Sequence, residues 1–474
     1  MKIFLKTLFS FILFWALVLG TAACQLVPSE PTSEGPTPAP VQVTGIVLVP
    51  PTLTPRSGTI TAARPNQTIT IIPTGQPSPT RTPTQIRLPV TMLGTPTQIQ
   101  VKTQVSIFFN VKNPNSELTI SSVPYKITAF DESGIEINSH STYIYMIFPN
   151  ESRPVVDTFT VKSGQTVAKV DIKLDSPRFE APPFRAPVFI SEQATFYANT
   201  NPIVTAIIKS KNDDGFYDLK VTAILYDANE TIVGGGYAYL NFLPGDSRAA
   251  VKIYVQSTAI PARIELSSSL TSISFFSSRN NIAQPALELL DYGFSQTNTT
   301  VSAAIVAQNI LGDQTLERSQ YQIALYDAND NVLDCVQGYF DLFFPGEKMG
   351  TTAIFYLNKA QKAARIEAQV MSGVRSDHVI TANPFQVGSI QYLPGTVAKA
   401  STILKSTYPQ NLTNVEINIV AYDQNDKVIG GGRRYADLIP ANGQAEVEVP
   451  LYLAQTPARL ELYAGITSIT KIGK

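Results

Sequence analysis

The chain has 474 residues, with 36 basic and 37 acidic side chains and a net charge of −1, so it offers no basic domain for nucleic acid. Its two histidines, His140 and His378, lie far apart, which argues against a paired-His metal site or a conventional Ser-His-Asp triad. With only two cysteines and one tryptophan, no disulfide framework is available to hold the fold together.

At the amino terminus Lys2 and Lys6 precede an apolar run over residues 8–19, and Gly20-Thr21-Ala22-Ala23-Cys24 follows. Basic, then apolar, then small residues is the layout of a secretory signal, predicted here over residues 1–23. A cysteine directly after Ala22-Ala23 resembles the lipobox of bacterial lipoproteins, which implies acylation of the Cys24 thiol and a membrane partner reached through lipid. Thr21 departs from that pattern, which usually has Leu there. An ordinary cleaved signal or an uncleaved anchor are the alternatives; the run is at the short limit of the ~20 residues that span a bilayer. All three readings place the body outside the cytoplasmic membrane. Removing the signal takes Trp15 away and leaves a charge near −3; lipidation of Cys24 leaves Cys335 as the lone thiol.

Residues 24–85 turn abruptly to Pro, Thr and Ser, as in Pro77-Ser78-Pro79-Thr80-Arg81-Thr82-Pro83. Such a composition cannot bury enough apolar surface to offset its conformational entropy, so a disordered, proline-stiffened tether is expected. At ~3.1 Å per residue, about 60 residues would reach ~190 Å when fully extended. The apolar patches at 46–49 and 69–72 are not assigned as strands.

From residue 86 onward a short phrase is written four times: Thr128-Ala129-Phe130-Asp131, Ile224-Leu225-Tyr226-Asp227, Ala324-Leu325-Tyr326-Asp327 and Val420-Ala421-Tyr422-Asp423. The aspartates are 96, 100 and 96 residues apart, the size of one small β-sandwich. Pro149, Pro244, Pro345 and Pro440 follow at 17 or 18 residues, and Lys169, Arg263, Arg365 and Arg459 at 36 or 38. Between these landmarks hydrophobicity alternates with period two, as Val415, Ile417, Ile419 and Ala421 do against Glu416, Asn418, Val420 and Tyr422. This predicts strands with one buried face. Asn- and Asp-rich tetrapeptides after Asp227, Asp327 and Asp423 read as hairpin turns. The expected architecture is all-β, with four tandem repeats at 86–182, 183–281, 282–378 and 379–474, set end to end at ~33 Å per module.

The strand ending in Leu-Tyr-Asp, the polar turn, the Val/Ile-Gly strand and the Pro-Gly turn resemble the bacterial FxLYD domain, an immunoglobulin-like β-sandwich module. Copies two and three match best, through Leu225-Tyr226-Asp227 and Leu325-Tyr326-Asp327. The leading Phe of the motif is replaced by Ile127, Ala223, Ile323 and Ile419, and Phe130 stands for Tyr in copy one. The resemblance implies a fold and an accessory surface role, without catalytic residues or cofactors.

Few residues invite chemistry. Cys335 falls where copies two and four have Gly235 and Gly431, and with no histidine nearby it is expected to be inert. Asp131, Asp227, Asp327 and Asp423 are expected to brace their hairpins by bonding turn backbone. Asp327-Ala328-Asn329-Asp330-Asn331 also offers oxygens at alternate positions, the pattern of a calcium loop, but without the bidentate Glu of an EF-hand; no metal is assigned. Tyr143, Tyr239, Tyr339 and Tyr435 each lie twelve residues after an aspartate, out of phase with apolar neighbours. They are either structural or a row of contacts for sugar or protein. The chain is therefore expected to be a non-enzymatic, lipid-anchored envelope or surface protein, an interaction scaffold or stalk. A polysaccharide-binding surface lipoprotein is the alternative. Its partners would be the membrane and an envelope protein or polysaccharide.

Overall fold

Period-two patterning and β-branched strands produce what they should: the described residues are almost all strand and turn, and the strands pair antiparallel. The computed structural model describes residues 41–42, 86–274, 286–376 and 382–473, which all belong to one unit spanning Pro40–Lys474. The signal segment, Cys24, His378 and the patches at 46–49 and 69–72 lie outside the described residues. Within the Pro/Thr-rich segment, Val41–Gln42 pairs with Phe189–Tyr197.

Each copy of the motif sits in a pair of sheets. In the third, Leu287–Thr297, Thr300–Asn309 and Lys348–Tyr356 form one sheet in that order, here termed the amino sheet. Val332–Phe343, Thr315–Tyr326 and Arg365–Met371 form the other, the motif sheet, with Tyr326 and Asp327 at the end of its central strand. The first copy pairs Thr91–Val101, Gln104–Lys112 and Ser152–Thr160 with Glu136–Ile147, Thr119–Phe130 and Lys169–Leu174. The second and fourth copies keep the same strand order, centred on Phe216–Tyr226 and Val415–Tyr422. Facing residues of the two sheets form each core: Val301, Ala303 and Ile305 meet Leu316, Ile323 and Leu325 in the third copy. Val105, Ile107 and Phe109 meet Ile120, Val123 and Ile127 in the first. The arrangement is sandwich-like.

The expectation of one buried face per strand, in modules set end to end, is corrected by the junctions. The outer face of each amino sheet packs on the outer face of the next motif sheet. Phe108 and Val156 of the first copy meet Ile224 of the second. Ile207 and Ala250 of the second meet Ala324, Tyr326, Val332 and Cys335 of the third. Ala304 and Val306 of the third meet Val420, Tyr422 and Val428 of the fourth. Inner strands are therefore buried on both sides, and every residue from 301 to 307 is at most 3% exposed. Asn418, Val420 and Tyr422, on the face read as polar and outward, are 4%, 0% and 5% exposed.

Face-to-face contact at these junctions requires small side chains and satisfied backbone. A Cβ on Gly293 would stand 1.7 Å from the carbonyl oxygen of Val428, and one on Gly350 2.6 Å from the Tyr463 ring. The Ser302 hydroxyl donates to the Gly431 carbonyl at 2.7 Å and accepts from its N–H at 2.8 Å, while Ser295 donates to the Ile429 carbonyl at 2.6 Å. Between copies two and three, Tyr197 and Thr205 both donate to the Val332 carbonyl, at 3.0 and 2.7 Å. Backbone groups that would otherwise be orphaned in a buried interface are thereby paired.

The two terminal faces differ in composition. At the motif-sheet positions filled by Thr222 and Ile224, Gln322 and Ala324, or Asn418 and Val420, the first copy has Lys126 and Thr128. The last amino sheet turns out Lys399, Ser401, Ile403 and Lys405, with Lys399 paired to Glu448 and Ser401 bonded to Glu446 at 3.2 Å.

The stacking predicts that Gly293→Ala, which drives a methyl into the Val428 backbone, lowers unfolding stability by about 1–3 kcal/mol. Gly312→Ala, with open space at its Cβ position, should stay within about 0.5 kcal/mol of the parent in the same urea titration.

Candidate functional site: a tyrosine-lined cleft between the first two copies

The recurring landmarks resolve into two local devices. In each hairpin one carboxylate oxygen of the motif aspartate accepts two backbone N–H groups: Asp131 from Ser133 and Ile135, Asp227 from Asn229 and Thr231, Asp327 from Asn329 and Asn331, Asp423 from Asn425 and Lys427, all at 2.8–3.0 Å. Those bonds hold the Asp423 carboxyl below its usual range. The residue three places on, Gly134, Glu230, Asp330 or Asp426, has a positive φ of 77°, 59°, 62° or 56°, the left-handed conformation that closes the turn.

The second device joins the motif tyrosine to the distant basic landmark. Register places Tyr226 opposite Arg263, Tyr326 opposite Arg365 and Tyr422 opposite Arg459. Each guanidinium lies over its ring at 3.8, 3.9 and 3.7 Å, and each phenol donates to Glu265, Glu367 or Glu461 at 3.1, 2.7 and 2.8 Å. The arginines also reach back to Glu230, Asp330 and Asp426 at the hairpin. In the first copy the set is Phe130, Lys169 and Asp171, with the ammonium 5.7 Å from the ring.

Tyr143, Tyr239, Tyr339 and Tyr435 are 53%, 45%, 41% and 37% exposed, whereas the following Ile144, Leu240 and Phe340 are buried. The structure does not bring all four rings to one site. Arg318 lies over Tyr339 at 5.4 Å and Arg433 near Tyr435 at 6.0 Å, while Tyr143 and Tyr239 line the same cleft. That cleft, about 240 Å³, opens between the first and second copies.

Two ring pairs form its walls, Tyr143 stacked with Tyr145 at 5.7 Å and Tyr237 edge-on to Tyr239 at 5.8 Å. Asp157, 6% exposed, lines its floor. The Asp157 carboxylate accepts from the Tyr125 hydroxyl and the Thr158 N–H at 2.9 and 2.8 Å and bonds His140 Nε2 at 2.9 Å. Burial and the adjacent carboxylate push the Tyr125 phenol well above its usual range. Across the junction, Lys220 donates to the Val156 carbonyl at 3.0 Å and lies 4.0 Å from the Tyr237 ring centroid; burial brings its ammonium down to about 8. Asp218 accepts from the Thr271 hydroxyl at 2.8 Å, and Arg153, buried and lowered by desolvation, donates to the carbonyls of Tyr145 and Met146.

Asp157 is out of pattern. It lies six residues after Glu151, whose carbonyl accepts the Asn113 N–H. The same count from Ser247, Glu347 and Gly443, which play that part in the other copies, arrives at Ile253, Ala353 and Val449, all buried and apolar. A carboxylate at a core position is costly unless hydrogen-bonded, and here three donors supply the bonds. Tyr125, Asp157, Asp218 and Lys220 were not singled out from sequence; aligning the four copies would have exposed Asp157 as the charged exception.

Cys335, 5% exposed, packs in the junction of copies two and three, where burial pushes its thiol up to about 12. Among the described residues no group of three or more His, Cys, Asp or Glu is arranged to hold a metal ion.

Two outcomes follow. A lysine lowered in the folded state makes the unfolded state bind more protons between pH ~8 and the unfolded value near 10.4, so stability rises with pH across that window and is lowest below it. Urea midpoints at pH 7.5, 8.5 and 9.5 should climb for the parent and lie flatter for Lys220→Met. A thiol-directed reagent should modify the Cys335 peptide only under unfolding conditions, as read by peptide mass mapping. A scan against protein-family models finds none that matches the chain, and a search of curated proteins returns no significant match.

Proposed function

We propose that the chain is a lipid-anchored protein of a bacterial envelope or cell surface, in which four FxLYD-like, immunoglobulin-like sandwiches at 86–182, 183–281, 282–378 and 379–474 form a non-catalytic interaction scaffold or stalk. Residues 1–23 would direct export, Cys24 would carry the lipid, and residues 24–85 would separate the body from the membrane surface. The observation that carries this reading is the stacking itself. Three junctions of packed apolar side chains, reinforced by side-chain bonds to backbone, support this reading of a body suited to holding a surface away from its anchor. The recurring features, the turn aspartate of all four copies and the Tyr-Arg-Glu set of the last three, are used in hairpin closure and ring stacking.

A second reading, a polysaccharide-binding surface lipoprotein, is favoured by one feature: the cleft between the first two copies, with its tyrosine walls.

Fractionation of bacterial cells producing the full chain tests the anchor. The parent should sediment with membranes and incorporate labelled fatty acid, and Cys24→Ser should lose the label. Crosslinking on intact cells should recover envelope or surface partners. A parent chain found in the cytoplasm and crosslinked only to cytoplasmic proteins would overturn the proposal.

A further inference from the structure

We propose that the cleft between the first two copies is a binding site for one ring of a neutral saccharide, taken from a longer glycan that runs across the opening; this rests on the polysaccharide-binding reading above. The ligand class follows from the lining. Tyr143 and Tyr239 present exposed aromatic surface in the cleft, one from each copy, the kind of surface on which the apolar C–H face of a sugar packs. Between them lie groups that match hydroxyls: the Asp218 carboxylate accepts, and the side-chain hydroxyls of Thr142 and Ser269 donate or accept, above the buried Asp157 carboxylate.

Charge argues for a neutral ligand. The cleft lining has two carboxylates, Asp157 and Asp218, against two cations, Lys220 and Arg153. Both cations are already engaged, Arg153 by two backbone carbonyls and Lys220 by the Val156 carbonyl and the Tyr237 ring. An anionic sugar would find no free counter-charge there, and a cationic ligand would meet the buried ammonium. Size points to a single ring, because about 240 Å³ is below the roughly 300–1,000 Å³ of clefts that enclose drug-sized ligands.

The second, independent observation is the position of Asp157 in the sandwich core. Ile253, Ala353 and Val449 fill the corresponding site with apolar volume, and the fold has no structural need for a carboxylate there. With it comes His140, which bonds the carboxylate together with Tyr125; the histidine position is held by Gly236, Val336 and Gly432 in the other copies, while the tyrosine recurs as Tyr321 in the third, opposite no carboxylate. The Asp157-His140 pair is thus confined to the copy that forms the cleft. The other two tyrosines of the row have arginine neighbours, Arg318 and Arg433, and are assigned no part in this site.

The test is retention of the full chain on immobilised neutral and anionic glycans, followed by calorimetry with the tightest-binding oligosaccharide. Tyr239→Ala and Asp218→Asn should each weaken binding at least tenfold, Tyr239→Phe should retain most of it, and Tyr339→Ala and Tyr435→Ala should leave it unchanged. Thermal unfolding of each variant establishes that it is folded; Tyr143→Ala replaces Tyr239→Ala if the latter is not. Equal losses at all four tyrosines would overturn the cleft in favour of an extended row, and preference for anionic glycans would overturn the ligand class. No retention on any glycan by the folded parent would overturn glycan binding as a whole. Membrane fractionation and crosslinking of the same chain report separately on the scaffold reading, so the two can fail independently.

Discussion

Each inner sheet of this protein has to bury two faces at once, and most of its unusual residue choices answer to that constraint. A sandwich standing alone turns one face of each sheet to water and can fill that face with any polar residue. Here the outer face of one sheet is the floor for the next. Positions on it pack, as Ile224, Ala324 and Val420 do, or find a hydrogen-bond partner across the junction, as Thr205, Ser302 and Asn418 do. Close approach also removes side chains altogether at Gly293 and Gly350. The first motif sheet and the last amino sheet escape the constraint and carry lysines, serine and threonine at the corresponding positions.

The recurring Tyr-Asp and Arg-x-Glu landmarks serve the same arrangement. Tyr326 and Tyr422 are 1% and 5% exposed because their rings are held between an arginine stacked on one side and the neighbouring copy. The arginine ties the last strand of the motif sheet to the hairpin, and the hairpin is closed by the aspartate. Two landmarks separated by nearly forty residues are therefore one cluster. The first copy replaces the set by Phe130, Lys169 and Asp171, with the ammonium further from the ring.

The cleft between the first two copies arises where the packing rule is broken. A charged residue replaces a core one at Asp157, three donors surround it, and the junction that elsewhere closes over apolar side chains opens instead onto tyrosines and hydroxyls. Departures from an internally repeated pattern carry more functional information than the pattern does, because the pattern is what folding needs in every copy.

The amino-acid sequence by itself determined the all-β character, the four-fold repetition and the hairpin at each aspartate, because these depend on residues within about ten positions of one another and on a period of two. Only the tertiary structure decided which face of each strand meets water. Alternation marks two faces but not what lies beyond them, and Asn418 and Tyr422 read as solvent-facing until the third copy is placed over them. The same limit applies to the cleft. Tyr143 and Tyr239 stand in a series of four equivalent residues; a second tyrosine two places away, Tyr145 or Tyr237, marks them off from Tyr339 and Tyr435, but nothing local says that they share a cleft. What joins them is the meeting of strands drawn from residues 125 to 272, a contact set by sheet stacking, to which short-range patterning is blind.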